Sequence, residues 1–340
     1  MSSTLKPSEA TRTNVIRYLS QSDIRSLAPS WKSLIVLIDD AIKAIVDNDY
    51  VQPIKPYLRY RNPINRIIAM PAYLGGSFDV AGIKWIASFP ENIKNNNPRA
   101  SSISILNNSQ TGAPQAILST NELSGLRTAA VSGYVLKKMR DFLPDTKLKI
   151  GIVGYGPIGQ LHAKMILEVL DGQIKQLCIY DSGHIEKKDE SPHLKFTNSW
   201  KEAYEDSDVF FCCTTSPKRY IDLMPKAGSL HLNVSLRDYL PEIVMKSSIL
   251  IVDDWEEVCR EDTDIHRCAL EYALKKEQCI SLPDLSKTNL PKLIKECCLI
   301  PLHQGYISFH PMGMAVFDMA ISQFIYQQSL KNNVGTILSQ

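Results

Sequence analysis

The chain has 340 residues, 44% of them apolar and 22% charged, with a formal net charge of +2. That length accommodates two domains with full cores, and the near-neutral charge gives no argument for nucleic acid or an anionic membrane surface as a partner. No apolar run approaches the roughly 18–20 residues of a membrane span.

Eight cysteines occur, none in a C-x-x-C pair and most in apolar segments. They read as buried thiols of a reducing cytoplasm, with no metal site. Residues 1–13 are polar, lack the apolar core of a signal peptide and read as a flexible tail. Residues 15–18 form a short strand, and Ser22-Asp23-Ile24 looks like a helix start. Residues 33–48 carry helical periodicity, with Leu34, Leu37, Ile38, Ala41, Ile42 and Ile45 on one side. Residues 66–71, 80–88, 101–106 and 116–118 are strand-like, with turn residues at Gly75-Gly76, Asn107-Asn108 and Thr111-Gly112. These strands need a partner sheet. A half-barrel that pairs with a second copy supplies one, which predicts a homodimer. Residues 122–140 then form a helix leading into the centre of the chain.

That centre is residues 148–181. Leu-Lys-Ile-Gly-Ile-Val is a buried strand, Gly154-Tyr155-Gly156-Pro157-Ile158-Gly159 a turn, the run to Leu170 a helix, and Leu-Cys-Ile-Tyr-Asp a second strand ending at Asp181. Gly154 permits the tight turn, Gly156 leaves the backbone open to a pyrophosphate, and Gly159 lets helix and sheet approach. Free N–H groups at the helix start favour an anion. Asp181, 22 residues after Gly159, stands where a carboxylate accepts from the adenosine ribose and repels a 2′-phosphate, so NAD is the expected cofactor. An ordinary tight turn is the alternative.

Residues 209–214, 229–234 and 249–252 read as further strands of the same sheet. Their ends place Thr214, Thr215, Ser216, Asn233 and Ser235 along the cofactor crevice. Only 11 residues, 182–192, separate Asp181 from the next strand-like stretch. The second crossover helix is therefore expected to be short or missing. A long apolar helix follows residues 310–315, His-Pro-Met-Gly-Met-Ala, and is expected to return to the first domain. The predicted architecture is α/β. A Rossmann-type NAD-binding domain covers residues 129–307, and a discontinuous α+β substrate and dimerisation domain covers residues 1–128 and 308–340.

The chain resembles the ornithine cyclodeaminase and mu-crystallin family. The resemblance rests on Val51-Gln52-Pro53, Met70-Pro71-Ala72-Tyr73, Gly82-Ile83-Lys84, Leu126-Arg127-Thr128-Ala129-Ala130, the glycine turn, and Pro311-Met312-Gly313-Met314-Ala315 with Asp318. Within the family it is most similar to the dehydrogenases of 2,3-diaminopropionate biosynthesis, through residues 51–59, 82–86, 252–255 and 324–328. That likeness implies NAD-dependent oxidation of N-(2-amino-2-carboxyethyl)-L-glutamate, releasing 2-oxoglutarate and L-2,3-diaminopropionate for a siderophore or peptide product. An upstream pyridoxal phosphate enzyme would supply the substrate. A cyclodeaminase, alanine dehydrogenase or ketimine reductase reaction, or a mu-crystallin-like ligand binder, stays open.

The same likeness assigns roles. Arg127 grips the substrate α-carboxylate, unless it makes only a surface ion pair. Lys84, between Ile83 and Trp85, is the catalytic lysine, its pKa lowered by desolvation and nearby cations, or else an edge-strand lysine facing water. Lys55 stands where many relatives carry arginine; with Arg59 and Arg66 it offers further cations or is merely structural. Asp318 sits beside Lys84 or the nicotinamide, or caps a helix. Met314 is assigned to the cofactor; His310 is either near it or structural. Two acids of the cyclodeaminases are missing: Ile68 and Leu236 occupy those positions, with Asp238 two residues on.

Overall fold

The computed structural model describes residues 15–183, 191–287 and 290–339. The polar tail at 1–13 and most of the 182–192 crossover lie outside these residues. Two sheets organise the molecule.

The first sheet is built from β1 (Val15–Leu19), β2 (Tyr50–Val51), β3 (Tyr57–Leu58), β4 (Arg66–Leu74), β5 (Val80–Ser88), β6 (Ala100–Asn108) and β7 (Pro114–Ser119). The second holds β8 (Leu148–Val153), β9 (Ile174–Tyr180), β10 (Leu194–Phe196), β11 (Val209–Cys212), β12 (Leu230–Asn233), β13 (Ser247–Val252), β14 (Ile280–Ser281) and β15 (Tyr306–His310). A last strand, β16 (Thr336–Ser339), returns to the edge of the first sheet beside β1.

The first sheet runs β16-β1-β7-β6-β5-β4-β2, with β3 also on β4. Its long strands are antiparallel and in continuous register: Met70 faces Lys84, which faces Ser104. One face is buried. Met70, Ala72 and Leu74, Val80, Leu106, Ala116 and Leu118 pack there against α2 (Trp31–Val46) and the C-terminal helix, called α5 here (Ala315–Asn332). A short α1 (Gln21–Leu27) precedes α2, capped by Ser20 rather than Ser22. The periodicity of α2 explains its seat: Leu34, Ile38, Ala41, Ile42 and Ile45 are all buried. The opposite face of the sheet carries Trp85 and Ile103, each 40% exposed.

The second sheet runs β10-β9-β8-β11-β12-β15-β13-β14, every pair parallel. Its central strands are buried along their whole length, as parallel strands covered on both faces must be. Leucine, isoleucine, valine and phenylalanine therefore dominate without alternation. Strand β15, which the periodicity did not indicate, is one of these.

Two stretches carry the chain between the sheets. The first is α3 (Asn121–Met139), which leaves β7 of the first sheet and packs on α4 (Pro157–Val169) of the second. It runs straight through the expected 128/129 boundary. Buried residues lie all round it, from Leu123 to Met139, because it is sandwiched between both halves. Gly125 and Gly133 let it approach: a Cβ at Gly125 would stand 2.4 Å from Leu161 Cδ1 if that side chain did not move. The second crossing is the turn after His310, leading into α5.

Candidate active site

The sheets meet at a cavity of about 760 Å³. From the first half it is lined by Lys55, Tyr57, Arg66, Lys84, Ser124 and Arg127, and from the second by Ile158, residues 213–217 and residues 234–238, with residues 311–313 closing one side.

At its inner end lies a buried charge cluster. Lys84, mid-β5, is 1% exposed and donates to Asp318 Oδ1 at 2.9 Å and to Ser124 Oγ at 2.6 Å. Arg127 Nε reaches the same Oδ1 at 3.3 Å. Two cations thus share one carboxylate oxygen, while Asp318 Oδ2 is buried without a hydrogen-bond partner among the described residues. Burial pulls the Lys84 ammonium down to about 8, with Asp318 opposing and Arg127 adding to the fall. Burial works against the charged form of Asp318, but Arg127 and Lys84 outweigh it and hold the carboxyl below its usual value. At neutral pH the group is two cations on one anion, and Lys84 can release a proton just above neutrality.

Gly313 fixes where Arg127 lies. Its φ is +90°, open to glycine, and a Cβ there would come within 2.9 Å of Arg127 Nη1. Lys55 is 4% exposed and donates to Gly313 O at 2.7 Å, with Glu257 Oε2 3.6 Å away. Asp253 holds the same turn from the other side, accepting from Met312 N at 2.9 Å and Gly313 N at 2.5 Å. Lys55 therefore lines the cavity with its charge already committed. Arg59 is likewise paired with Glu261. Ser124 and Glu257 carried no signal in the sequence, and Asp253 entered only within the 252–255 likeness with no role assigned, because serines and acids of this kind gain meaning only from the partner the fold brings to them.

The glycine turn has the geometry its spacing implies. Gly154 has φ +90°, and a Cβ would stand 2.5 Å from Cys213 O; a Cβ on Gly159 would overlap Gly154 O. Among the described residues a Cβ on Gly156 would meet nothing within 4 Å, so they leave the space before α4 open. Gly156 is also the N-cap of α4 and offers no side chain to its first N–H groups. Pro157 opens the helix, where its missing N–H costs nothing. Asp181 accepts from Tyr155 N at 2.6 Å and Gly183 N at 2.7 Å, which sets its carboxylate beside the turn. Tyr155 is buried with its ring edge-on to Phe196. An open helix N-terminus flanked by a carboxylate fits a dinucleotide with a free 2′-hydroxyl.

The other cofactor candidates divide. Ile158, Thr214, Thr215, Ser216 and Ser235 line the cavity. Thr214 and Ser235 both donate to Asp238. Asn233 is buried, donates to Asp264 Oδ2 at 2.6 Å and accepts from Leu236 N at 3.1 Å, so it shapes the loop rather than facing the cavity. Leu236 is held at φ +68°, an unfavourable conformation for a leucine. Met314 is 2% exposed in the core, and its neighbours Met312 and Gly313 line the cavity in its place. His310 is buried in β15 beside Asn233, its pKa pushed down to about 3 by burial; it is a neutral structural ring. Ile68 and Leu236 both face the cavity. Among the described residues no group of three or more His, Cys, Asp or Glu could hold a metal.

Comparison with known proteins follows the same lines. The model of the ornithine cyclodeaminase/mu-crystallin family matches residues 18–333. The chain is 34% identical over 343 residues to N-((2S)-2-amino-2-carboxyethyl)-L-glutamate dehydrogenase of Staphylococcus aureus, covering 95% of this chain and 98% of that one. It is 25% identical over 332 residues to alanine dehydrogenase of Archaeoglobus fulgidus, covering 94% and 96%. Its fold is shared with Thermococcus litoralis Delta(1)-pyrroline-2-carboxylate reductase in complex with NADH and L-proline (TM-score 0.78, 24% identity, 94% and 99% covered). It is shared too with an archaeal alanine dehydrogenase dimer with bound NAD (TM-score 0.77, 22% identity, 95% and 99% covered).

Proposed function

The chain belongs to the ornithine cyclodeaminase/mu-crystallin family, and from that premise we propose that it oxidises N-(2-amino-2-carboxyethyl)-L-glutamate to 2-oxoglutarate and L-2,3-diaminopropionate. It is an NAD-dependent oxidoreductase acting on an amino acid. The observation that carries the proposed reaction is the Lys84–Asp318–Arg127 cluster, which opens into the same cavity as the ends of β11 and β12.

NAD, held at the glycine turn and beside Asp181, supplies the hydride acceptor. The chain's own residues do the rest. Arg127 holds the α-carboxylate of the glutamyl half through its Nη groups, which its bond to Asp318 leaves available. That fixes the α-carbon near Lys84. Lys84, with a pKa near 8, takes the proton from the secondary ammonium so that the nitrogen lone pair can assist loss of hydride. The imine then takes up water, Lys84 returning a proton to the departing amine. Asp318 keeps the lysine and arginine at fixed spacing. Overall one substrate, one NAD and one water give two products, NADH and a proton.

The cyclodeaminase alternative is disfavoured by Ile68 and Leu236. By family likeness they stand where those enzymes carry acids; both line the cavity, and neither can handle a second amine. The apolar outer face of the first sheet, with Trp85 and Ile103 exposed, supports a homodimer through that face. The family likeness also implies an upstream pyridoxal phosphate-dependent enzyme that supplies this substrate.

Incubation with NAD and the N-substituted glutamate should raise NADH absorbance and give 2-oxoglutarate and diaminopropionate by mass spectrometry. No turnover of that compound, together with ammonia release from ornithine, would overturn the assignment.

A further inference from the structure

The cations around the cavity are not equally matched. Lys55 and Arg260 lie on Glu257, Arg59 on Glu261, and Lys84 and Arg127 on Asp318. Three arginines that line the cavity, Arg66, Arg99 and Arg237, have no carboxylate partner among the described residues. Arg66 opens β4 and Arg99 immediately precedes β6. The register places them on one rim, since Arg66 pairs with Ser88, and Ser88 with Ala100. Arg237 comes from the loop after β12, across the cleft. Its Nε and Nη2 donate to the main-chain carbonyl of Glu261 at 3.2 and 2.7 Å. Arg66 Nε is buried without a hydrogen-bond partner among the described residues.

These three charges repel one another. Partial desolvation at the cavity mouth and then the neighbouring arginines pull Arg99 and Arg237 below the usual arginine range, although Arg99 keeps an exposed flank; Asp262, Asp264 and Tyr57 oppose the fall for Arg237. Arg237 is anchored on the Glu261 carbonyl and Arg66 lies over the Tyr57 ring at 5.5 Å, but neither contact brings a negative charge, and like charges facing a cavity cost stability unless an anion joins them. The cluster is also well spaced from the catalytic end. Along β4, Arg66 is four residues from Met70, which pairs with Lys84, or about 13 Å at roughly 3.3 Å per residue. Long side chains shorten that gap to the reach of a small extended molecule.

We propose that Arg66, Arg99 and Arg237 form a second anion subsite that takes the side-chain carboxylate of the glutamyl half of the substrate, and so select a dicarboxylic amino acid over a neutral or basic one. This deepens the function proposed above and rests on its glutamyl substrate. The inner cluster reads the α-carboxylate common to all amino acids; the outer one reads what distinguishes glutamate. Guanidinium groups suit the task because each can meet a carboxylate with two parallel bonds.

The test uses the enzyme loaded with NADH and two probes of the same chain length, 2-oxoglutarate and 2-oxopentanoate, which differ in the distal carboxylate. Binding is read from NADH fluorescence. The native protein should prefer 2-oxoglutarate by about tenfold or more, the scale of one charge-assisted contact. Arg66→Met and Arg99→Met should each remove most of that preference while leaving 2-oxopentanoate affinity unchanged. Arg99 is exposed, so its replacement does not threaten the fold, and Arg99→Lys should keep part of the preference. Equal affinities in the native protein, or variants that weaken both probes alike or neither, would overturn the subsite. A preserved preference in an enzyme that releases no diaminopropionate would instead reject the reaction and leave the subsite standing.

Discussion

Replacing Asp318 by asparagine tests how the inner cluster works. The substitution keeps the shape and removes one buried charge. Lys84 then loses a charge-assisted bond of 2.9 Å in a site where it is 1% exposed. Such bonds are worth roughly 1.5–3 kcal/mol, and about 1.4 kcal/mol is one pKa unit, so the lysine should fall by about one to two units from its value near 8. The sign follows from the role. A lysine that must accept a proton is active when neutral, so the kcat/KM of the native enzyme rises with pH through about 8. In Asp318→Asn the rising limb should move to lower pH. The maximal rate should drop as well, because Arg127 also loses its anchor. The variant should be destabilised by about 3–5 kcal/mol, the cost of leaving buried cations unpaired. A pH profile of initial NADH formation, with thermal unfolding measured alongside, checks both. A limb that stays in place, or moves to higher pH, would refute Lys84 as the proton acceptor.

Arg127→Ala should raise KM for the substrate by roughly 30-fold or more, about 2 kcal/mol for a lost charged contact, with NAD affinity nearly intact; loss of NAD binding instead would reject its role. Asp181→Ser should weaken NAD by about tenfold, one charge-assisted contact's worth, and narrow the gap to NADP, as measured by KM for each nucleotide. Trp85→Asp, on the exposed face of the first sheet, should convert a dimer to monomers in light scattering; an unchanged mass would place the interface elsewhere.

Much of this was legible before any coordinates. The central strands of the second sheet carry short, mainly apolar runs bounded by turn residues, so β8, β9, β11, β12 and β13 stand out. The glycine turn was readable because each glycine answers a separate steric demand. Strand β15 was not, since Tyr-Ile-Ser-Phe-His mixes polar and apolar residues, and its serine finds Ser247 only across the sheet. The second crossover, at 182–192, falls largely outside the described residues. Lys84 stood out as a charge between Ile83 and Trp85, whereas Arg127 was assigned through family likeness. Asp318 was placed beside Lys84 or the nicotinamide by the same likeness, but that one of its oxygens serves both cations was not readable, since it lies 234 residues from Lys84. Lys55 shows the limit from the other direction: its type and place suggested a substrate ligand, yet its ammonium is spent on Gly313 and Glu257. Arg99 and Arg237 gave no signal because they meet only when the two halves are assembled.

Among the described residues the chain passes between its halves at two places, and that has a mechanical result. Lys84, Arg127 and Asp318 all belong to elements packed on the first sheet, whereas the strand ends facing them belong to the second. If the cleft widens to admit or release a ligand, it must turn about an axis passing near the end of α3 and the bend at Gly313. The three charged groups would then swing together as one rigid jaw, their mutual spacing preserved, and only their distance to the opposite wall would change.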